Sequence, residues 1–184
     1  MIRRLPIYLL VDCSASMRGD PIASLESGIR SMHAELTGDP YAIESGYLSV
    51  IAFGERAEQL TPLTEVVSFT PPALPLFRTD ETRLGAAIYL LDNCIRYEVC
   101  KNTETRRGDW NPVIFVFIDG PVTDVTEFDR AVTDLRATHR INTIVAVCCG
   151  DICNQDQLRQ LTDTIVAMRD LSPNALSQFF EHYS

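Results

Sequence analysis

Ile7 to Val11, Val113 to Ile118 and Ile144 to Cys149 are short, uninterrupted apolar runs, and no other feature of the chain restricts its fold as much. They lack the in–out alternation of a half-solvated strand, so they read as parallel strands buried on both faces. Leu48 to Phe53 is a fourth, more mixed run. Strands of this kind need helices on both sides of their sheet, and helical periodicity falls between the runs. Behind Asp20-Pro21, which predicts an N-cap and a first-turn proline, Ile22, Leu25, Ile29, Met32 and Leu36 lie three or four apart on one helix face. Leu84, Ala87, Ile88, Leu91 and Ile95 form a second stripe on a helix starting close to Thr82. Val125, Phe128, Val132 and Leu135 form a third, behind an Asp124-x-x-Glu127 pattern that resembles a capping box.

The remaining segments fit around that alternation. Arg56 to Phe69 carries two short alternating stretches around Pro62, which suits an edge strand or hairpin. Pro71 to Pro75 reads as a rigid extended linker and Lys101 to Gly108 as a solvated loop. A weak helix around Gln155 to Leu161, a short strand Thr164 to Met168 and a final helix from about Pro173 complete the pattern. The expected fold class is α/β: a doubly wound, mostly parallel sheet with right-handed crossovers and helices on both faces. With 184 residues and 46% hydrophobic content, one domain over 1–184 is expected. In such sheets ligands sit beyond the carboxyl ends of the strands, where strand order reverses. The residues that terminate the apolar runs are therefore the place to look for function.

The first run ends in Asp12-Cys-Ser14-Ala-Ser16, three oxygen-bearing side chains spaced two apart. If the backbone stays extended, all three point the same way, while Cys13 points to the opposite side and packs. Val113 to Ile118 ends in Asp119-Gly120, a second carboxylate at a strand top followed by a residue that lets the chain turn sharply. Thr82, at the start of a helix, can face the same crevice. Two carboxylates about 4 Å apart at an effective dielectric of about 20 repel by roughly 4 kcal/mol, which a bound cation would relieve. The set of Asp12, Ser14, Ser16, Thr82 and Asp119 offers oxygen only, without imidazole or thiolate. That chemistry selects one divalent cation of the Mg2+, Mn2+ or Ca2+ kind, with Mg2+ expected first. Hydroxyls are weak neutral donors, so waters or a carboxylate from another molecule would complete the coordination. Taken singly, each of these residues would read as a helix cap or a turn; it is their order and their placement at element ends that point to a metal.

Asp12-x-Ser14-x-Ser16, Thr82 and Asp119-Gly120 together resemble the metal-ion-dependent adhesion site (MIDAS) of von Willebrand factor A (vWA) domains. The runs Arg4 to Asp12, Met17 to Ile22, Thr82 to Ile88 and Gly108 to Val113 further resemble TerY-like proteins of bacterial tellurium-resistance clusters, and the similarity extends to Phe179-Phe180. The resemblance implies a Rossmann-like sheet of six strands with one antiparallel edge strand. It implies a Mg2+ held by Ser14, Ser16 and Thr82, with Asp12 and Asp119 acting directly or through water. It also implies an adaptor role, in which a protein partner supplies an Asp or Glu carboxylate to the metal, often beside a kinase and a phosphatase in metal-stress systems. Two departures stand out. Cys13 follows the first aspartate, and the acidic pair Asp80-Glu81 precedes Thr82, leaving Thr79 as an alternative ligand.

Composition narrows the field. A formal net charge of −9 repels phosphate backbones and anionic headgroups, so neither nucleic acid nor membrane is expected as a partner. The Arg3-Arg4 start faintly imitates a signal peptide, but Pro6 and Asp12 break its apolar run, and a cytoplasmic protein is expected. The six cysteines show no paired CxxC spacing and are expected to be free thiols. An enzyme is not expected. A phosphoryl-transfer site of the aspartate-nucleophile type would need a second acidic residue where Ser14 stands. Serine hydrolysis lacks a Gly-x-Ser-x-Gly elbow, and His33, His139 and His182 fall on or at the ends of predicted helices as surface or interface residues. No glycine-rich phosphate loop follows the first strand. The remaining alternative is a vWA scaffold with a vestigial metal site.

Overall fold

The computed structural model describes residues 3–105, 107–150 and 152–168, together with 175 and 178. Six strands form one sheet: β1 (Leu5–Asp12), β2 (Gly46–Phe53), β3 (Ala57–Glu65), β4 (Val113–Ile118), β5 (Thr143–Cys149) and β6 (Ile165–Met168). Their order is β3-β2-β1-β4-β5-β6. All neighbours are parallel except β2 and β3, which pair antiparallel at one edge. The chain moves outward from β1 to β2 and β3 on one side, and from β4 to β5 and β6 on the other. The reversal of direction therefore lies between β1 and β4, and Asp12 and Asp119 sit there.

β1 shows why its sequence reads as continuously apolar. Tyr8 and Leu10 pack with Leu84, Ile88 and Leu91 of α3 (Leu84–Glu98) and with Phe128 and Val132 of α4 (Val125–Thr138). Leu9 and Val11, alternating with them, pack on the other face with Leu25, Ile29 and Met32 of α1 (Asp20–Leu36). Alternation along a strand sends consecutive side chains to opposite faces. With helices on both, every position from Tyr8 to Asp12 is buried, and each such Leu or Val contributes about 1.5–3 kcal/mol relative to exposure. Cys13 continues the alternation, fully buried beside Leu9, Val11 and Met17.

The edge pair explains Pro62. β3 is half-exposed along its length, and its register against β2 shifts between Leu48 and Val50 and again between Val50 and Ile51. An edge strand with bulges tolerates a residue that has no N–H to donate. Glu98, at the end of α3, ties this edge to the core by accepting from Tyr8 Oη at 2.9 Å, Gln59 Nε2 at 3.0 Å and Leu63 N at 3.3 Å.

Several local expectations need correction. Asp20 is the first residue of α1 and not its cap; Gly19, with φ of 90°, turns the chain into the helix, and Asp20 then lies at the positive end of the helix dipole. A short helix α2 (Pro40–Ser45) was not expected, although Asp39 caps it by accepting from Tyr41 N at 2.8 Å. At six residues it is too short to show a stripe. Val125 is 41% exposed, and Ala131 joins Phe128, Val132 and Leu135 on the buried face of α4. The weak helix is the single turn α5 (Gln155–Leu158), capped by Asn154, with Leu158 and Leu161 still buried. Of the helix expected from about Pro173, only Ala175 and Gln178 are among the described residues, and both are helical. Among the described residues, no helix is long and apolar enough to cross a membrane.

Candidate metal centre

β1 delivers Asp12 to the top of the sheet, where its carboxylate is fully buried. Ser14 remains extended (φ −61°, ψ 165°), and its N–H donates to Asp12 Oδ1 at 2.9 Å. The chain then closes a 3-10 turn over Ala15–Met17. That turn, and not continued extension, brings Ser16 Oγ to 2.9 Å from Ser14 Oγ. Ser14 is fully buried and Ser16 is exposed, so the site opens to solvent on the Ser16 side.

The loop before α3 lies across this turn. Phe77 N–H donates to Cys13 O at 2.8 Å, Ala15 N–H donates to Thr79 O at 2.9 Å, and Arg83 N–H donates to Gly54 O at 3.1 Å. Thr82, 2% exposed, is thereby carried to the crevice between β1 and β4. A Cβ placed on Gly120 would lie 3.5 Å from Thr82 Oγ1, so the threonine hydroxyl stands directly over the Asp119-Gly120 turn. Thr79 is exposed and bonds this loop through its backbone carbonyl.

Asp119 follows the last residue of β4. Its N–H approaches Asp12 Oδ2 at 3.5 Å, and its Oδ1 is buried without a hydrogen-bond partner. Burial pushes the Asp12 carboxyl up to about 7; the hydrogen bonds from Ser14 oppose this, and the Asp119 charge adds to it. A buried carboxylate oxygen without a donor costs about 1–3 kcal/mol or more. A divalent cation is the group that would satisfy that oxygen and both carboxylate charges at once. The residues present therefore fit one: two carboxylates and three hydroxyls from three loops, with one side open. No cluster of three or more His, Cys, Asp or Glu that could hold a metal occurs among the described residues; this candidate set has only two acids.

The cysteine expectation is overturned at one pair. Cys148 and Cys153 form a disulfide, their Cα atoms 5.6 Å apart, while Cys13, Cys94, Cys100 and Cys149 are free. Gly150, with φ of 94°, folds the chain back at the end of β5 and brings the two within bridging distance. Just beyond, Gln157 holds the loop after β4, its Oε1 accepting from Val122 N at 3.0 Å and its Nε2 donating to Val122 O at 3.4 Å. Neither contact has a signal in the sequence.

The two described histidines, His33 and His139, are remote from this crevice. His33 Nε2 contacts Val66 O at 2.8 Å. The His139 imidazole is enclosed and not on the surface as expected, with Nε2 at 2.9 Å from Asp92 Oδ1. His182 lies outside the described residues.

The sequence profile of the von Willebrand factor type A domain matches residues 7–182. No curated protein matches the chain. Among solved structures, a von Willebrand factor type A protein from Catenulispora acidiphila is 16% identical with a TM-score of 0.70, over 98% of this chain and 42% of that one. Proximal thread matrix protein 1 from the mussel byssus, with a zinc-occupied MIDAS motif, is 16% identical with a TM-score of 0.61, over 98% of this chain and 44% of that one. A D319A mutant of the PilB minor pilin from Streptococcus sanguinis is 9% identical with a TM-score of 0.72, over 100% of this chain and 61% of that one. At these identities the likeness is one of fold. The chain spans less than two thirds of the length of each of these structures.

Proposed function

The chain belongs to the von Willebrand factor type A domain family, and we propose that it is a divalent-metal-dependent protein-binding module without catalytic activity, with Asp12, Ser14, Ser16, Thr82 and Asp119 as its metal ligands. The observation that carries the reading is the buried, unpartnered Asp119 Oδ1 beside the buried Asp12 carboxylate, at the one crevice where the loops bearing Ser14, Ser16 and Thr82 meet. When bound, the cation supplies positive charge and open coordination positions to which a carboxylate of another protein can attach. The chain's own part is to orient: Ser14 N–H fixes the Asp12 carboxylate, the 3-10 turn presents Ser16 at the open side, and burial excludes water from Asp12, Ser14 and Thr82.

Mg2+ is the cation of the proposal. Hard oxygen donors suit it, and Mn2+ or Ca2+ would compete. A solved relative carries zinc in its MIDAS motif, but zinc prefers nitrogen and sulfur donors, which this crevice lacks. The residues Met17 to Ile22, Thr82 to Ile88 and Gly108 to Val113 support a placement among TerY-like proteins, and with it an adaptor role in a tellurite or metal-stress system, next to a kinase or phosphatase. Isothermal titration of metal-stripped protein with Mg2+, Mn2+ and Ca2+, beside Asp12→Ala, tests the reading. One-site saturable binding of Mg2+ that disappears in the variant is expected; wild-type protein that binds none of the three ions refutes it.

A further inference from the structure

Thr82 and the loop after β4 hold each other by a reciprocal pair of hydrogen bonds. Thr82 N–H donates to Thr123 Oγ1 at 3.1 Å, and Thr123 N–H donates to Thr82 O at 3.1 Å. The next residue, Asp124, does not cap its own helix with its side chain. Its carboxylate turns instead to α3, accepting from Gly85 N at 3.0 Å and Ala86 N at 2.9 Å. Two of the orphan amides at the start of α3 are thus satisfied by a residue from the loop that carries Asp119. The approach is close enough to require glycine: a Cβ on Gly85 would lie 2.4 Å from Phe128 N and 2.8 Å from Asp124 Oδ2. Arg83 closes the far side, its guanidinium 4.0 Å from Asp124 and 2.9 Å from Glu127.

Thr82 and Asp119 therefore belong to one clasped unit, although they come from distant parts of the chain. We infer that Thr123 and Asp124 are positioning residues for the candidate metal centre, and that their clasp fixes the spacing between the Thr82 hydroxyl and the Asp119 carboxylate so that the site prefers Mg2+ over the larger Ca2+. The inference rests on the assignment of those two residues as ligands. Mg2+ requires near-octahedral geometry at about 2.0–2.1 Å, whereas Ca2+ accepts a looser shell at about 2.3–2.6 Å. A rigid frame of hydroxyl and carboxylate suits the first ion, and a loosened frame gives up more Mg2+ affinity than Ca2+ affinity. The clasp does not itself touch the ion; it acts through Thr82.

The test is isothermal titration of the metal-stripped full chain with Mg2+ alone and with Ca2+ alone, for wild type, Thr123→Val, Thr123→Ser and Asp124→Ala, together with the metal-free melting temperature of each. Thr123→Val removes the acceptor for Thr82 N–H and keeps the side-chain shape; Thr123→Ala makes the same comparison if the valine variant does not fold. Mg2+ affinity is expected to fall about 10- to 100-fold in Thr123→Val, as for other residues that hold metal ligands in place. Ca2+ affinity should fall less, so the Mg2+ to Ca2+ preference shrinks, and Thr123→Ser should restore it. Equal weakening for both ions, following a drop in melting temperature, would reduce the clasp to a structural role and overturn the inference. So would unchanged affinities. Wild-type protein that binds neither ion removes the ligand assignment itself, whereas normal wild-type binding with an unaltered preference in the variants removes only the inference.

Discussion

Asp119 offers its backbone N–H toward Asp12 Oδ2 at 3.5 Å, while its own Oδ1 is buried with no hydrogen-bond partner. The fold thus brings two carboxylates to adjacent strand ends and satisfies them incompletely. This is the arrangement expected where a functional site stores unfavourable electrostatics that a ligand relieves.

Relief of that repulsion without metal should be measurable. Asp119→Asn is expected to raise the melting temperature of the metal-free protein, by about 2–4 °C for each kcal/mol relieved in a chain of this size. The same change should abolish the stabilisation that Mg2+ gives the wild type. Calorimetric scans of both proteins with chelator and with excess Mg2+ make the comparison; a variant less stable than wild type in chelator would contradict it.

Gly85 lies where α3 meets the start of α4. Gly85→Ala puts a methyl group against backbone atoms that cannot move independently, as the 2.4 Å approach to Phe128 N shows. A loss of about 1–3 kcal/mol is expected, as for other overpacked positions, although alanine is the better helix former. Denaturant unfolding of the variant checks the sign.

The Cys148–Cys153 bridge closes a short loop, with a sequence separation of 5. Chain-entropy arithmetic for so short a loop gives about 2 kcal/mol. Cys153→Ser is expected to destabilise the protein by that amount under oxidising conditions and to cost nothing further when a dithiol reductant is added. A variant as stable as oxidised wild type would count against the bridge.

The free thiols divide by burial. Burial pushes the Cys94 and Cys149 thiols up to about 12, and pushes Cys13 upward as well, while Cys100 is exposed. A folded-state value above the ordinary one favours the neutral thiol. The associated stability is fully present below the ordinary value of 9.0 and is lost as pH climbs toward 12. At pH 8, iodoacetamide should label Cys100 first and leave Cys13, Cys94 and Cys149 unmodified until the protein unfolds. Mass spectrometry of peptides after timed labelling reads the order.

Much of this architecture was legible in the chain. Ile7 to Val11, Val113 to Ile118 and Ile144 to Cys149 announced strands because doubly covered strands have no polar face to show. Asp12, Ser14, Ser16, Thr82 and Asp119 could be singled out because function in a doubly wound sheet gathers at strand ends. What stayed hidden depends on long-range geometry. Asp124-x-x-Glu127 has the local pattern of a cap for its own helix, yet the Asp124 side chain serves α3, because Gly85 lets the two helices approach closely. Cys148 and Cys153 are spaced C-x4-C and not CxxC, and nothing in that spacing alone says that they bridge each other; the left-handed backbone of Gly150 folds the chain back between them. His139 closes on Asp92 across two helices, a contact that no spacing predicts.

The central claim is that one cation sits among Asp12, Ser14, Ser16, Thr82 and Asp119. Anomalous X-ray diffraction from crystals grown with Mn2+ in place of Mg2+ tests it most directly. The account predicts a single strong peak at the carboxyl ends of β1 and β4, within direct or one-water reach of those five side chains, and no such peak in Asp12→Ala crystals. A peak elsewhere on the molecule, or none at the crevice with Mn2+ at saturating concentration, would contradict it.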